Sequence, residues 1–289
     1  MELSERGRTG ELFKYILAVV IYGTIGMFLR FVNVPSEIVA MCRGTIGSGF
    51  ILLYLRMRHT RLDRGAIRDN RFLLLLSGVL LGLNWIFLFA AYTTTTVAIA
   101  SLCNYMAPMI VIVVAPFVLR ERIAARKLPC VAAALIGIVL VSGVFSGESG
   151  NPKGVFLGLL AALCFVGIVL CNRMIRDVPA LEKAVVQLFT SSVTILPYVL
   201  AVNRNTLISI DARSVAIILM LGIVHTGFAY VLYFSGMSTL PVQTVAIWGY
   251  LEPVVSVLCS FFFLREPMSP TGWLGAFLII AAAVVSEML

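Results

Sequence analysis

Ten apolar runs of about twenty residues each govern what this chain can fold into. They occupy 12–32, 37–56, 71–91, 95–118, 128–145, 154–173, 183–202, 214–236, 242–264 and 271–288. At 1.5 Å per residue, about 20 helical residues cross about 30 Å of hydrocarbon. Lipid offers no partner to backbone N–H and C=O groups, so a spanning segment must bond internally. A membrane β-barrel would alternate polar and apolar residues, and stretches such as Val131 to Val141 do not. The expectation is an all-α integral membrane protein with ten transmembrane helices. The gaps are short: Asn33-Val34-Pro35-Ser36 reads as a tight turn, and the stretch from Arg56 to Arg71 is longer and charged. Gly147 to Pro152 and Asn203 to Arg213 read as polar loops. No gap holds a soluble domain, so residues 1–289 read as one transmembrane domain. The least defined boundaries are Tyr92 to Thr95 and Gly236 to Pro241, where neighbouring runs nearly merge.

Charge agrees with this reading. Only 12% of residues are charged, where a soluble domain carries about a quarter. The net charge of +8 does not point to nucleic acid, because Lys and Arg lie mostly in the polar gaps and no nucleic-acid-binding motif accompanies them. Basic residues near helix ends favour the cytoplasmic side. With the N-terminus in the cytoplasm, 16 Lys and Arg residues fall inside and 5 outside, and Arg43 falls within a run. Both termini are therefore expected in the cytoplasm of a bacterial-type inner (plasma) membrane. Glu2, Glu5, Arg6, Arg8 and Glu11 make a mixed-charge start, and the first run is too long for a cleavable signal. The six cysteines all lie in apolar runs without a CxxC pair, and the two histidines, His59 and His225, are distant. Neither a disulfide nor a metal site is expected, and no cofactor motif is present.

The halves of the chain repeat. A shift of 145 residues lays 223–266 on 78–121 without a gap, with 11 of 44 positions identical. Val79 meets Val224, Gly82 meets Gly227, Phe89 meets Phe234, Thr94 meets Thr239 and Val97 meets Val242. Tyr105 and Pro108 meet Tyr250 and Pro253, and Phe117-x-Leu119-Arg120-Glu121 meets Phe262-x-Leu264-Arg265-Glu266. Repeat one spans about 12–145 and repeat two about 154–288. Each holds five runs. Five is odd, so the second copy is expected to enter the bilayer from the opposite side, giving two inverted five-helix repeats. Secondary transporters recurrently use this design, because two inverted copies can exchange conformations and so turn an inward-open site outward.

These residues carry a resemblance. Ala107-Pro108 with Leu119-Arg120-Glu121, Leu251-Glu252-Pro253 with Leu264-Arg265-Glu266-Pro267, Ala91-Tyr92-Thr93, and Gly275 to Ile280 are similar to the EamA-type branch of the drug/metabolite transporter superfamily. The similarity extends over the whole chain. It implies transport of small metabolites, frequently amino acids and often outward. It also implies that the first four helices of each half line a central cavity, with the fifth and tenth peripheral.

Charged groups inside a span are costly, so those present are informative. Glu252 precedes Pro253 in the ninth run and reads either as a protonatable or amine-binding site or as a helix-packing anchor; its repeat mate is Ala107. Arg43 lies about 10 Å into the second run. It could hold a carboxylate bidentately, pair with Glu37 or Glu252, or snorkel to the outer interface. His225 can switch protonation near neutral pH, or simply bond a neighbouring helix. Tyr105 and Tyr250 flank the two prolines symmetrically and are candidates to line a midplane site. Trp248, Asn104, Asn84, Trp85 and Tyr22 are further candidates. Asn84 and Asn104 need partners in lipid and so should face the interior, while Trp85 and Trp273 could instead anchor the interface. Glu121 and Glu266 read as caps or partners of nearby Arg rather than gates. Gly44-x-x-Gly47-x-Gly49 fits close helix approach.

The resulting expectation is an alternating-access secondary transporter for a small metabolite, with an amino acid or derivative as cargo, export as direction and protons as candidate coupling ions. The partners are then a small-molecule substrate and the lipid bilayer. A non-transporting sensor or scaffold, or an intramembrane enzyme, is the alternative. The first would bring a soluble output domain and the second a cluster of acid, base or metal ligands; neither is visible. No P-loop, Gly-x-Ser-x-Gly or His-Glu-x-x-His is present, which speaks against ATP-driven pumping by this chain alone and against catalysis.

Overall fold

A computed structural model describes residues 5–60, 62–119, 125–141, 151–202, 210–240 and 242–289. All ten apolar runs are helical there, and no strand occurs among the described residues. Seven helices are long and apolar enough to cross a bilayer: Thr9–Leu29, Ser36–Met57, Arg71–Thr94, Val97–Val114, Pro152–Met174, Ala180–Ala201 and Ala212–Thr239. Three shorter apolar helices, Leu128–Val141, Leu251–Phe262 and Pro270–Ser286, lie in the fifth, ninth and tenth runs.

The helix starts carry the expected capping chemistry. Thr96 Oγ1 accepts from Ile99 N–H, and Asp211 Oδ2 from Ser214 N–H. Ser269 Oγ accepts from Gly272 N–H, and Pro270 occupies the first turn, where a missing N–H costs nothing. The two boundaries that nearly merge in sequence are short in space too. Only Thr95 and Thr96 separate Arg71–Thr94 from Val97–Asn104, and Leu240 with residue 241 separates the eighth run from the ninth. The charged stretch after the second run is not wholly loop: Arg64–Asp69 forms a helix capped by Asp63. Arg120, Glu121, most of the stretch from Gly147 to Pro152, residues 203–209 and Pro241 lie outside the described residues.

Two runs break at equivalent places. The fourth divides into Val97–Asn104 and Ala107–Leu119, and the ninth into Val242–Gly249 and Leu251–Phe262. A proline removes its own N–H and clashes with the carbonyl four residues earlier. Four residues before Pro108 is Asn104 and four before Pro253 is Gly249, the last residues of the two first segments. The eighth run is interrupted differently, by a π-helical stretch, Ile223–Phe228, where Thr226 Oγ1 donates to the Leu221 carbonyl at 2.9 Å.

Packing follows the repeat. The third helix packs on the sixth and the first on the eighth; the second packs on the eighth and the third on the seventh; the fourth packs on the sixth and the first on the ninth. The second and seventh, fourth and ninth, and fifth and tenth pack as mutual pairs. Moving five runs along the chain maps these principal contacts onto themselves. The fifth and tenth helices meet backbone to backbone: a Cβ on Gly137 would stand 2.8 Å from the Gly275 carbonyl oxygen. Of the three second-run glycines, Gly44 and Gly47 press on the seventh helix and on Thr226, whereas nothing approaches Gly49.

Candidate substrate chamber

Helical spacing puts aromatic side chains onto common faces. Tyr15 and Tyr22 are seven residues apart on the first helix, and Tyr230 and Tyr233 three apart on the eighth, so each pair shares a face. Those faces meet: ring centroids lie 5.0 Å apart for Tyr15 and Tyr233, 5.9 Å for Tyr22 and Tyr230, and 5.8 Å for Tyr22 and Tyr233. On the third helix, Trp85, Phe89 and Tyr92 form a second stripe, with centroids 6.4 and 6.2 Å apart in succession.

Arg43 reaches inward from the second helix to the Trp85–Phe89 stripe. Its guanidinium carbon lies 4.5 Å from the Trp85 centroid and 5.4 Å from that of Phe89, and its Nε donates to Thr226 Oγ1 at 3.1 Å. Only 3% of the residue is exposed, so it does not snorkel to an interface. It also forms no salt bridge with Glu37 or Glu252 within 4.0 Å, the ion pairs among the described residues being Lys14–Glu11 and Arg30–Glu266. The cation is instead held by aromatic faces and a hydroxyl. Trp85, at 6% exposure, is an interior residue and not an interface anchor.

Glu252 lies in the first turn after the ninth-run break. Its side chain interacts with the Tyr105 hydroxyl, and its charge is felt by Arg43 and by Tyr15, Tyr22, Tyr92, Tyr230 and Tyr233. Six tyrosines from the first, third, fourth and eighth helices thus lie within electrostatic reach of one carboxylate. Tyr22, Tyr105, Tyr230, Tyr233, Asn104 and Glu252 keep partial exposure, while Arg43, Trp85, Tyr92 and Tyr15 behind them are buried. Convergent side chains that stay partly accessible in front of a buried layer mark this cluster as the candidate chamber.

Each sequence candidate now has a place. Tyr22, Tyr105, Arg43, Trp85 and Glu252 come together. Asn84 is a buried tie: its Nδ2 donates to Asn104 Oδ1 at 3.1 Å and to the Ala161 carbonyl at 2.8 Å, joining the third, fourth and sixth helices. His225 stands on the π-helical stretch beside Thr226 and faces the first helix, its Nε2 3.0 Å from Thr24 Oγ1 and its ring edge-on to Phe28 at 5.3 Å. Tyr250 does not mirror Tyr105. It is 7% exposed and packs with Leu102, Met106 and Ile279 in the apolar cluster of the fourth, fifth and tenth helices. Trp248 is 39% exposed and makes no ring contact with the chamber residues among those described. Sequence reasoning passed over Tyr15, Tyr92, Tyr230, Tyr233, Phe89 and Thr226. The 3-, 4- and 7-residue spacing of the aromatics was the available signal.

The two ends of the bundle differ. At one end Arg30 pairs with Glu266 and donates to the Thr95 carbonyl at 2.8 Å. Glu266 Oε2 accepts from the Val97 N–H at 2.8 Å and from Ser260 Oγ. Arg265, with a left-handed φ of 55°, turns Glu266 back onto the bundle. This network ties the first, fourth and ninth runs together, in the capping and pairing role the sequence suggested for Glu266. At the other end, near Glu11, a cavity of about 390 Å³ opens among Tyr54, Leu181, Glu182, Val231, Phe234 and Ser235. Phe234 also touches Tyr230 and Tyr233, at 5.7 and 5.4 Å, so one ring layer parts this vestibule from the chamber.

The EamA-like transporter family matches the chain twice, over residues 9–143 and 152–288. The chain belongs to this family, within the drug/metabolite transporters, and is a multi-span membrane protein. It is 23% identical over 265 residues to an uncharacterized transporter, YxxF, of Bacillus subtilis (strain 168), covering 90% of this chain and 84% of that one. It is 26% identical over 274 residues to an uncharacterized transporter of Archaeoglobus fulgidus, covering 94% of each. An S-adenosylmethionine uptake transporter of Rickettsia prowazekii is 24% identical over 224 residues, covering 76% of this chain and 74% of that one. A solved crystal structure at 19% identity superimposes with a TM-score of 0.66, covering 96% of this chain and 98% of its own, and shares the fold.

Proposed function

We propose that this member of the EamA-like transporter family is an alternating-access secondary transporter for a small zwitterionic metabolite, an amino acid or a derivative of one. The observation that carries the reading is the placement of Arg43 and Glu252. They are opposite charges that face one tyrosine-lined chamber without pairing. Charges removed from water are costly unless paired. A ligand carrying a carboxylate and an ammonium group would join them, with Arg43 at the carboxylate, Glu252 at the amine and tyrosine faces against both the cation and the apolar remainder. S-adenosylmethionine, named in one relative's function, contains such an amino-acid zwitterion.

Ten spans in two inverted halves supply the means of alternation. The gap-free repeat, the twin proline breaks and the contacts that recur five runs on all support that architecture. Both termini lie in the cytoplasm of the inner membrane on the basic-residue bias. The vestibule then faces the cytoplasm and the Arg30–Glu266 network closes the outer end, an arrangement suited to loading from inside and export. Glu252 is the proton-coupling candidate, because an ammonium ion and a proton compete for the same oxygens. His225 lies nearer to Arg43 and faces the first helix, so it comes second.

Purified protein in proteoliposomes loaded with an amino-acid panel tests this reading. At least one zwitterion should exchange saturably and faster than in empty liposomes. If none crosses faster and none raises the melting temperature, the proposal fails.

A further inference from the structure

We infer that an anionic phospholipid occupies a crevice at the Glu11 end of the bundle, where the second helix stops. The helix Ser36–Met57 ends there and the chain doubles back through His59, whose φ of 54° is left-handed. The reversal is fixed by His59 N–H donating to the Arg56 carbonyl and Thr60 N–H to the Leu55 carbonyl, each at 3.0 Å. Between the helix end and the returning chain lies a cavity of about 520 Å³. Leu52, Leu55 and Leu62 make one part of its wall, and Arg56, His59 and Thr60 the other.

That division matches a phospholipid at the edge of a bilayer. An acyl chain can lie along the leucines, with the phosphate against the guanidinium, the imidazole N–H and the hydroxyl. Leu52 is 42% exposed, so the apolar wall opens outward, where lipid tails would lie. The local charge is complementary. Arg56, Arg58, Arg64, Arg68 and Arg71 are all exposed within sixteen residues of sequence, and none has a carboxylate within 4.0 Å among the described residues. The nearby Asp63 carboxylate is engaged in capping the Ala66 N–H. The neighbouring vestibule shares Leu55 and Thr60 with this crevice, but there Arg58 is offset by the buried Glu182, whereas the crevice lining sets Arg56 and His59 together with no carboxylate, which favours an anionic head group on the Arg56 side. This occupancy does not depend on what the chamber transports.

The test is lipid binding to the purified, delipidated protein in neutral detergent, read by native mass spectrometry and thermal shift. Phosphatidylglycerol should bind and raise the melting temperature by several degrees, whereas phosphatidylcholine and inorganic phosphate should not. The double variant Arg56→Gln/His59→Gln should weaken phosphatidylglycerol binding about tenfold or more. Arg64→Gln/Arg68→Gln, on the adjacent helix, should change it less than about twofold. Equal shifts with phosphatidylcholine, equal binding of inorganic phosphate, or full retention in the first variant would each overturn the assignment. So would equal losses in both variants, which would show a diffuse basic field and no defined site.

Discussion

Arg30 and Glu266, 236 residues apart in the chain, meet as an ion pair across one end of the helix bundle. The same carboxylate takes the first free N–H of the fourth-run helix, Val97, at 2.8 Å. Its removal would release three runs at once. Glu266→Gln, and more strongly Glu266→Ala, should loosen that end. A loss of about 1–2 kcal/mol shifts the closed-to-open ratio by roughly 5–30-fold. With the six native cysteines replaced, a cysteine at Thr95 should react several-fold faster with a membrane-impermeant thiol reagent in the Glu266→Ala background. Unchanged labelling would mean that the pair holds nothing shut.

Glu252 is the carboxylate that six tyrosines feel, so its charge should set both affinity and pH response. Amine binding needs the ionised form; affinity should therefore rise as pH rises through the titration of this group and fall as it is protonated. Glu252→Gln should lower substrate affinity at least about tenfold, matching the loss of a charged hydrogen bond of about 1.5–3 kcal/mol. It should also flatten the pH profile of transport. An unchanged profile in the variant removes Glu252 from proton coupling.

Arg43 makes two kinds of contact that lysine cannot reproduce together, a guanidinium over the Trp85 ring and an Nε–H bond to Thr226. Arg43→Lys keeps the charge and should still lose about tenfold or more in substrate affinity. Trp85→Leu, which keeps an apolar side chain but removes the ring face, should cost up to about 2 kcal/mol in the same assay. Wild-type affinity in Arg43→Lys would show that the residue serves only as a point charge.

Tyr105 and Tyr250 are repeat mates with different surroundings, and their variants should separate. Tyr105→Phe removes the hydroxyl that meets Glu252 and should raise the KM for substrate by roughly 3–10-fold, the worth of about one hydrogen bond. Tyr250→Phe lies in the apolar cluster with Leu102 and Met106, and should alter melting temperature while leaving KM within about twofold. Equal effects on KM would place both hydroxyls in the chamber.

Much of the fold is legible without coordinates, because lipid leaves the backbone few options. Ten apolar runs read as helices are helices, and Pro108 and Pro253 mark the two breaks through a local steric rule. The principal helix contacts recur five runs on along the chain. The site was legible only in part. Arg43 and Glu252 stand out as charges in apolar context, and Tyr22, Tyr105 and Trp85 are candidates that the structure places near them. Tyr15, Tyr92, Tyr230 and Tyr233 were not read as site residues, since a tyrosine in a membrane helix is ordinary until the face opposite it is known.

Sequence alone determined which segments are helical and where they bend, because hydropathy and proline chemistry act within a few residues. Only the tertiary structure decided that Tyr105 faces Glu252 while Tyr250 packs in an apolar cluster, and that Arg43 rests on Trp85 rather than on a carboxylate. Those outcomes depend on the rotation and depth of each helix against its neighbours. That is settled by close contacts such as Gly137 on Gly275 and Gly44 on the seventh helix, which join residues far apart in the chain.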